Sequence, residues 1–336
     1  MRTSRKSLLT PALFASVLTA MVLTGSQSAA SAEIELKASG PWPKTYPLMQ
    51  SFFRFIDKAN AAGKGHFRIR YVGGPEITKP RQQPQAMKNG LVDMIYGPPA
   101  YYLGLFPEGD FSHGFKTAMD QRKAGAYELV RQAMKQKMGA RFVARFDSGV
   151  GLHLFLKDKP KFTSKAGILD LKGLKLRSSP TYRDFIKDMG GTAVVMGPAD
   201  AYTAFERGAL EGAGFSVTDI LPRGLQKFVK YVIDPPFSYA TIALVMNHKK
   251  WDAMSPEAKK IFDKAAEHWE KESYEYWVDQ ANKEKEKLKN AGVTIIKLDG
   301  EAAKNYKALF LKGPWERMEK NPKIKIDMKK LKELSY

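Results

Sequence analysis

Residues 170–217 read DLKGLKLRSSPTYRDFIKDMGGTAVVMGPADAYTAFERGALEGAGFSV, and their punctuation is that of strand, helix, strand, helix, strand. Residues 174–177 follow the Lys172-Gly173 turn as a short strand. Residues 182–189 have helical spacing and stop at Gly190-Gly191, where glycine closes a helix in the left-handed conformation at little cost. Residues 193–196 are an apolar run of strand length. Pro198 opens a second helix, at the position where a missing N–H does no harm. Ala201, Ala204, Phe205 and Leu210 lie on or near one face of that helix, Gly208 ends it, and residues 213–217 form the next strand. Strands alternating with short helices pair in parallel, and parallel sheets bind ligands beyond the carboxyl ends of their strands. Arg177 and Phe215 stand at or near such ends.

The flanking sequence repeats this grammar. Residues 33–39 alternate as a first strand, Gly40-Pro41-Trp42-Pro43 makes a loop, and residues 48–62 form a helix with Leu48, Phe52, Phe55, Ile56 and Ala59 on one face. Gly63 and Gly65 end it. Residues 67–72 are a second strand, Gly73-Gly74-Pro75-Glu76 a turn, 84–88 a short helix and 92–96 a strand whose carboxyl end leads into Pro98-Pro99 and Tyr101-Tyr102. A helix over 120–138 and strands over 140–146 and 150–157 complete this part. Beyond the central stretch, residues 239–246 are a continuous apolar run, the mark of a strand buried on both faces. Ser255 caps and Pro256 begins a helix that runs to Ala291 and stops at Gly292. At 1.5 Å per residue it is roughly 50 Å long, more than the width of a small domain, so it is expected to lie across two. Residues 293–298 form a last strand, and the lysine-rich end is a packed tail or helix.

One internal echo supports two similar lobes. AMKNGLVD at residues 86–93 resembles AFERGALE at 204–211: a helix end, a glycine, then a strand with an acid near its start. The expected fold is therefore α/β, with two lobes that offer strand ends to a shared cleft. Residues 33–152 with about 240–280 form lobe I, and 153–239 with about 281–336 form lobe II.

Composition bounds the function. The chain has 336 residues, 43% of them hydrophobic, and a net charge of +20, enough apolar material for real cores and a balance that suits an anionic partner. The lysines are spread along the chain without the aromatic–basic interleaving of single-strand binders, so a solvated basic face is expected rather than a nucleic-acid surface. With no cysteine, disulfides, thiolate metal sites and cysteine nucleophiles are excluded. Arg2, Arg5 and Lys6, an apolar run over 8–23 and Ala30-Ser31-Ala32 form a secretory signal peptide, with cleavage expected after Ala32. The mature protein is expected to be exported.

No catalytic signature is present: no GxSxG, HExxH, P-loop or GxGxxG. His66, His113, His153, His248 and His268 have no metal-ligand spacing, and neither a metal nor a cofactor is expected. Arg177 offers a planar fork that matches a carboxylate, and equally suits a surface pair with Asp184. Phe215, between Gly214 and Ser216, presents a ring face to a ligand or fills the core. His153 interrupts an apolar strand as an anion donor or a satisfied core histidine. Trp42 and Tyr101 sit in loops at strand ends, as pocket walls or loop packing.

The order DLKGLKLR, short helix, GGTAVVM and AYTAFERGALEGAGF, preceded by AMKNGLVDM, resembles the solute receptors of tripartite ATP-independent periplasmic (TRAP) transporters, the dicarboxylate-binding type. The resemblance covers nearly all of the mature chain and is most specific over residues 170–215. It implies a two-lobed periplasmic binding protein fold with crossover strands and a long bracing helix. It also implies hinge closure on a small organic acid, delivery to the membrane subunits of a TRAP permease, and no enzymatic activity. Arg177 matches the arginine that grips the ligand carboxylate. Phe215 stands where relatives carry asparagine or tryptophan. The glutamate with which keto-acid receptors hold a metal ion is absent from Glu211-Gly212-Ala213-Gly214-Phe215. His153 lies near an arginine of the sialic-acid type, and Glu76 sits in a turn where relatives place an acid toward the cleft. Some relatives pair through a C-terminal helix, so both a monomer and a homodimer are compatible with the chain. A receptor for an ATP-driven importer, a secreted hydrolase and a basic surface-binding protein are the alternatives.

Overall fold

The computed structural model describes residues 33–335; the signal peptide expected over residues 1–32 lies outside them. The chain begins with β1 (Ile34–Ser39), α1 (Pro47–Ala62), β2 (Phe67–Gly73), α2 (Gln83–Lys88) and β3 (Met94–Gly97). Both β2 and β3 pair in parallel with β1, which lies between them. Pro47 opens α1, which buries Leu48, Phe52, Phe55, Ile56 and Ala59, the face that the spacing selects. A 3-10 stretch over Pro107–Gly114 follows, which no pattern in the sequence suggested. Next come α3 (Ala118–Lys123) and α4 (Ala126–Met138). They are two helices where the periodicity predicted one. Gly125 adopts φ +78° between them, and a Thr117–Asp120 capping box starts the first.

The chain continues through β4 (Ala140–Phe146) and β5 (Gly151–Leu156) into the stretch that decided the reading. There β6 (Lys175–Ser178), α5 (Arg183–Asp188), β7 (Thr192–Val195), α6 (Ala201–Glu206) and β8 (Gly212–Ser216) repeat the first unit. β6 lies between β7 and β8, parallel to both. After them come α7 (Val217–Ile220), β9 (Tyr231–Asp234), β10 (Ser238–Tyr239), β11 (Ile242–Asn247), α8 (His248–Ala253), α9 (Pro256–Asn290), β12 (Thr294–Lys297), α10 (Gly300–Glu319) and α11 (Met328–Leu334).

The two sheets run β2-β1-β3-β11-β4 and β12-β9-β5-β8-β6-β7, with β10 on β5. The chain crosses between them three times, from β4 to β5, from β10 to β11 and, through α8 and α9, from β11 to β12. The apolar run at residues 239–246, predicted as one strand, is therefore two: Tyr239 pairs with Gly151 in the second sheet, and Ile242 with Phe146 in the first. Within β11, Ile242, Leu244 and Met246 enter one core and Ala243 and Val245 the other, so both faces are buried.

The sequence echo is structural. Leu91 and Ala209 donate back to Ala86 and Ala204 over glycines with φ +78° and +68°. The backbone N–H of Lys37 in β1 donates to the carboxylate of Asp93, and that of Lys175 in β6 donates to Glu211, at 2.8 and 2.7 Å. Each acid locks the turn to the neighbouring parallel strand.

The long helix α9 is capped by Ser255, whose hydroxyl accepts from the Ala258 N–H. It puts Phe262, Ala266, Trp269 and Trp277 into a core on the first sheet and Leu288 into one on the second. α10 also joins the two: Tyr306 and Phe310 pack with the second sheet, Met318 with the first. Ile326 and Leu331 lie in that same first-sheet core. The end of the chain thus packs with the α4 residues Val130 and Met134.

Candidate functional site

A cleft of about 890 Å³ lies at the carboxyl ends of the parallel strands. Trp42 follows β1, Tyr46 precedes α1 and Tyr101 follows β3; opposite them stand Arg177 at the end of β6, Val195 and Met196 at the end of β7, and Asp219 and Arg223 beyond β8. The two similar units thus turn equivalent strand ends toward one space, as such sheets do.

Arg177 is 6% exposed and rigidly held. One terminal nitrogen, Nη1, donates to the Tyr182 hydroxyl at 2.6 Å and to the Gly214 carbonyl at 2.7 Å. Nη2 donates to the Met196 carbonyl at 3.2 Å. Nε is buried and has no hydrogen-bond partner. Two donors therefore remain, the shielded Nε–H and one N–H of Nη2, on a guanidinium whose residue lines the cleft and whose planar fork suits a carboxylate.

Phe215 lies beneath this group, its ring centroid 4.3 Å from the Arg177 guanidinium carbon. It is buried and its ring faces the arginine rather than the open cleft. Gly214 completes the seat. A methyl there would fall 2.3 Å from the Tyr182 ring, so only glycine lets Tyr182 reach the Gly214 carbonyl, to which its hydroxyl donates at 2.7 Å.

Trp42 and Tyr101 both line the cleft, and the indole N–H donates to the Tyr101 hydroxyl at 3.2 Å. His153 and Glu76 are not among the lining residues. His153 is buried in β5, with one ring nitrogen 3.2 Å from Asp234 and the other 3.3 Å from the Gly151 carbonyl. Burial holds its pKa below the ordinary value despite the Asp234 contact. Lys285 also pairs with Asp234 at 2.5 Å. Burial of Asp234 raises its pKa, but the His153 and Lys285 bonds outweigh that and hold it below the usual range. The exposed Glu76 accepts from the Gly74 N–H at 2.8 Å, inside its own turn, and that bond lowers its pKa.

Tyr46, Asp219 and Arg223 line the cleft and escaped the sequence reading. Tyr46 donates to Asp219 across the cleft at 3.2 Å. Asp219 also pairs with Arg223 at 3.2 Å, and the Arg223 guanidinium lies 5.0 Å from the Tyr46 ring. Burial, then the Asp219 charge, raises the Tyr46 pKa far above that of a free phenol. The i, i+4 spacing of Asp219 and Arg223 was the available signal; nothing local pointed to Tyr46. Among the described residues Asp219 is the one carboxylate that lines the cleft, and no group of three or more histidine or acidic side chains is placed to hold a metal ion.

Two α/β units, a chain that crosses between their sheets, a bracing helix and a cleft at the strand ends define a two-lobed solute receptor. Residues 38–312 match the model of bacterial extracellular solute-binding protein family 7, and the chain belongs to that family. It is similar to the monocarboxylate 2-oxoacid-binding periplasmic protein of Nostoc sp., with 25% identity over 78% of this chain and 74% of the relative. Among solved structures it resembles a TRAP periplasmic solute-binding protein of Desulfovibrio desulfuricans with bound sn-glycerol-3-phosphate, at TM-score 0.74 and 18% identity, covering 89% of this chain and 96% of that one. It also resembles a TRAP transporter solute-binding protein of Bordetella bronchiseptica with calcium and picolinate, at TM-score 0.73 and 20% identity, covering 91% and 92%. The fold is that of the TRAP receptors, and the family is one of solute receptors rather than enzymes. Among the described residues no helix is long and apolar enough to cross a membrane.

Proposed function

We propose that this protein, exported with cleavage after Ala32, captures a small organic acid in the cleft and presents it to the membrane subunits of a TRAP permease. The observation that carries the proposal is the state of Arg177 at the cleft wall: three of its five donors are committed to protein acceptors and the other two, the Nε–H and one N–H of Nη2, are not. A ligand carboxylate that takes these two donors makes two charge-assisted hydrogen bonds. Trp42 and Tyr101 close over the rest of the ligand, and Phe215 supports the guanidinium from below. His153 and Glu76 act outside the cleft, the first tying β5 to β9 through Asp234, the second shaping the turn after β2. No metal is part of the proposal, because the cleft's carboxylate is already paired with Arg223.

The test is native mass spectrometry of the mature protein followed by thermal melts with aliphatic, hydroxy, keto, aromatic and sugar acids. A ligand at about 100 times its Kd stabilises by about 2.7 kcal/mol, a readily measured rise in Tm. A shift confined to carboxylates supports the proposal. Shifts with amines or neutral sugars only, or with none of the acids, would remove Arg177 as a carboxylate clamp.

A further inference from the structure

We infer that the ligand is a monocarboxylate with a flat, apolar body, and that Asp219 is the residue that keeps a second carboxylate out. The inference rests on the receptor proposal and names the substrate class of that same cleft. Arg177 and Arg223 both approach the Phe215 ring, their guanidinium carbons 4.3 and 5.9 Å from its centroid. Two guanidinium groups over one ring would suit a dicarboxylate. Asp219 changes that: it pairs with Arg223 at 3.2 Å and also takes the Tyr46 hydroxyl at 3.2 Å. The second cation is thus neutralised within the protein, and a second ligand carboxylate beside it would meet the charge of Asp219. Lys79 and Arg81 also line the cleft, but both are exposed to water, where screening leaves a charge pair little worth.

Much of the remaining wall is apolar, beside the polar Thr45, Gln82 and Ser179. Trp42 and Tyr101 face the cleft from one side, and Pro180, Val195 and Pro198 from the other. Val195 is 44% exposed, an apolar side chain left open to the cleft. Proline has no N–H to give, and the Trp42 indole is already bonded to Tyr101. The hydroxyls of a sugar acid would lose water against these surfaces without regaining partners, whereas an aromatic ring would bury against them with no such loss.

Isothermal titration of the mature protein with benzoate, isophthalate, succinate and glucuronate tests this. Benzoate is expected to bind at least tenfold more tightly than the other three. Asp219→Asn, which releases Arg223, is expected to raise the affinity for isophthalate relative to benzoate at least tenfold. Lys58→Gln, which breaks an exposed ion pair with Glu272 away from the cleft, is expected to leave that ratio as it was. Tighter binding of succinate, isophthalate or glucuronate than of benzoate by the unaltered protein overturns the inference and leaves the carboxylate receptor standing. An unchanged ratio in folded Asp219→Asn overturns the role of Asp219. Binding of none of the acids removes the receptor proposal itself.

Discussion

Replacing Arg177 with alanine separates the ligand clamp from the fold. In the closed cleft the substitution removes two charge-assisted hydrogen bonds, each worth about 1.5–3 kcal/mol. It also leaves a carboxylate buried without its partner, a change that costs about 3–5 kcal/mol when a buried pair is broken. These are two descriptions of one loss, so the second is the whole estimate. At about 1.4 kcal/mol per tenfold in affinity it amounts to roughly a hundredfold to several thousandfold. The cost to the empty protein is smaller. Gly214 keeps the Tyr182 hydroxyl as a donor, and Met196 lines the cleft, so about 1–3 kcal/mol of stability is at stake. Arg177→Lys keeps the charge but not the fork and is expected to bind between the two. The assay is calorimetric titration with whichever acid shifts the melt, beside urea unfolding of the same preparations. Folded Arg177→Ala with affinity within about fivefold of the unaltered protein would refute the assignment.

Three further expectations follow from other parts of the molecule. Gly214→Ala places a methyl 2.3 Å from the Tyr182 ring; overpacking of this kind costs about 1–3 kcal/mol, and displacing Tyr182 should weaken acid binding as well. Unchanged Tm and Kd would show that the seat of Arg177 is not tight. Arg317 on α10 reaches Asp110 in the first half, and Asp184 and the Thr181 carbonyl in the second. Because Asp110 is 2% exposed, Arg317→Met should cost about 3–5 kcal/mol in urea unfolding, and an unshifted midpoint would refute the bridge. The pKa values of His113 and His153 lie below the ordinary value, chiefly through burial. The unfolded chain therefore binds more protons below its histidine pKa of about 6.5. Stability is fully present above that pH and falls as pH drops toward the folded values, by up to about 1.4 kcal/mol per pH unit for each histidine. Urea midpoints from pH 7.5 to 5 measure the slope, which should flatten in His153→Gln.

Local sequence determined most elements whose signal is a periodicity bounded by a cap, the helix read over residues 120–138 being the exception, broken at Gly125. The alternation in residues 170–217 is enough for β6 through β8, Ser255-Pro256 and Gly292 bound α9, and the two glycine turns with their following acids mark the repeated unit. Arg177 was visible for the same reason: a strand end is a local property, and the strand end is where a parallel sheet binds. What the sequence could not carry is whatever depends on which segments meet. Residues 239–246 read as one strand because buried strands of both sheets have the same composition; only the crossover splits them between Tyr239 and Ile242. Phe215 and His153 were each left between core and cleft, since an aromatic ring in a strand has the same signature whichever face it takes. The structure puts the first under a guanidinium and the second on Asp234. Tyr46 and Asp219 lie 173 residues apart in sequence, and neither has a neighbour that marks it. Short-range order is written in spacing and capping, while the cleft is made where two separately folded surfaces come together, and that contact exists only in the tertiary structure.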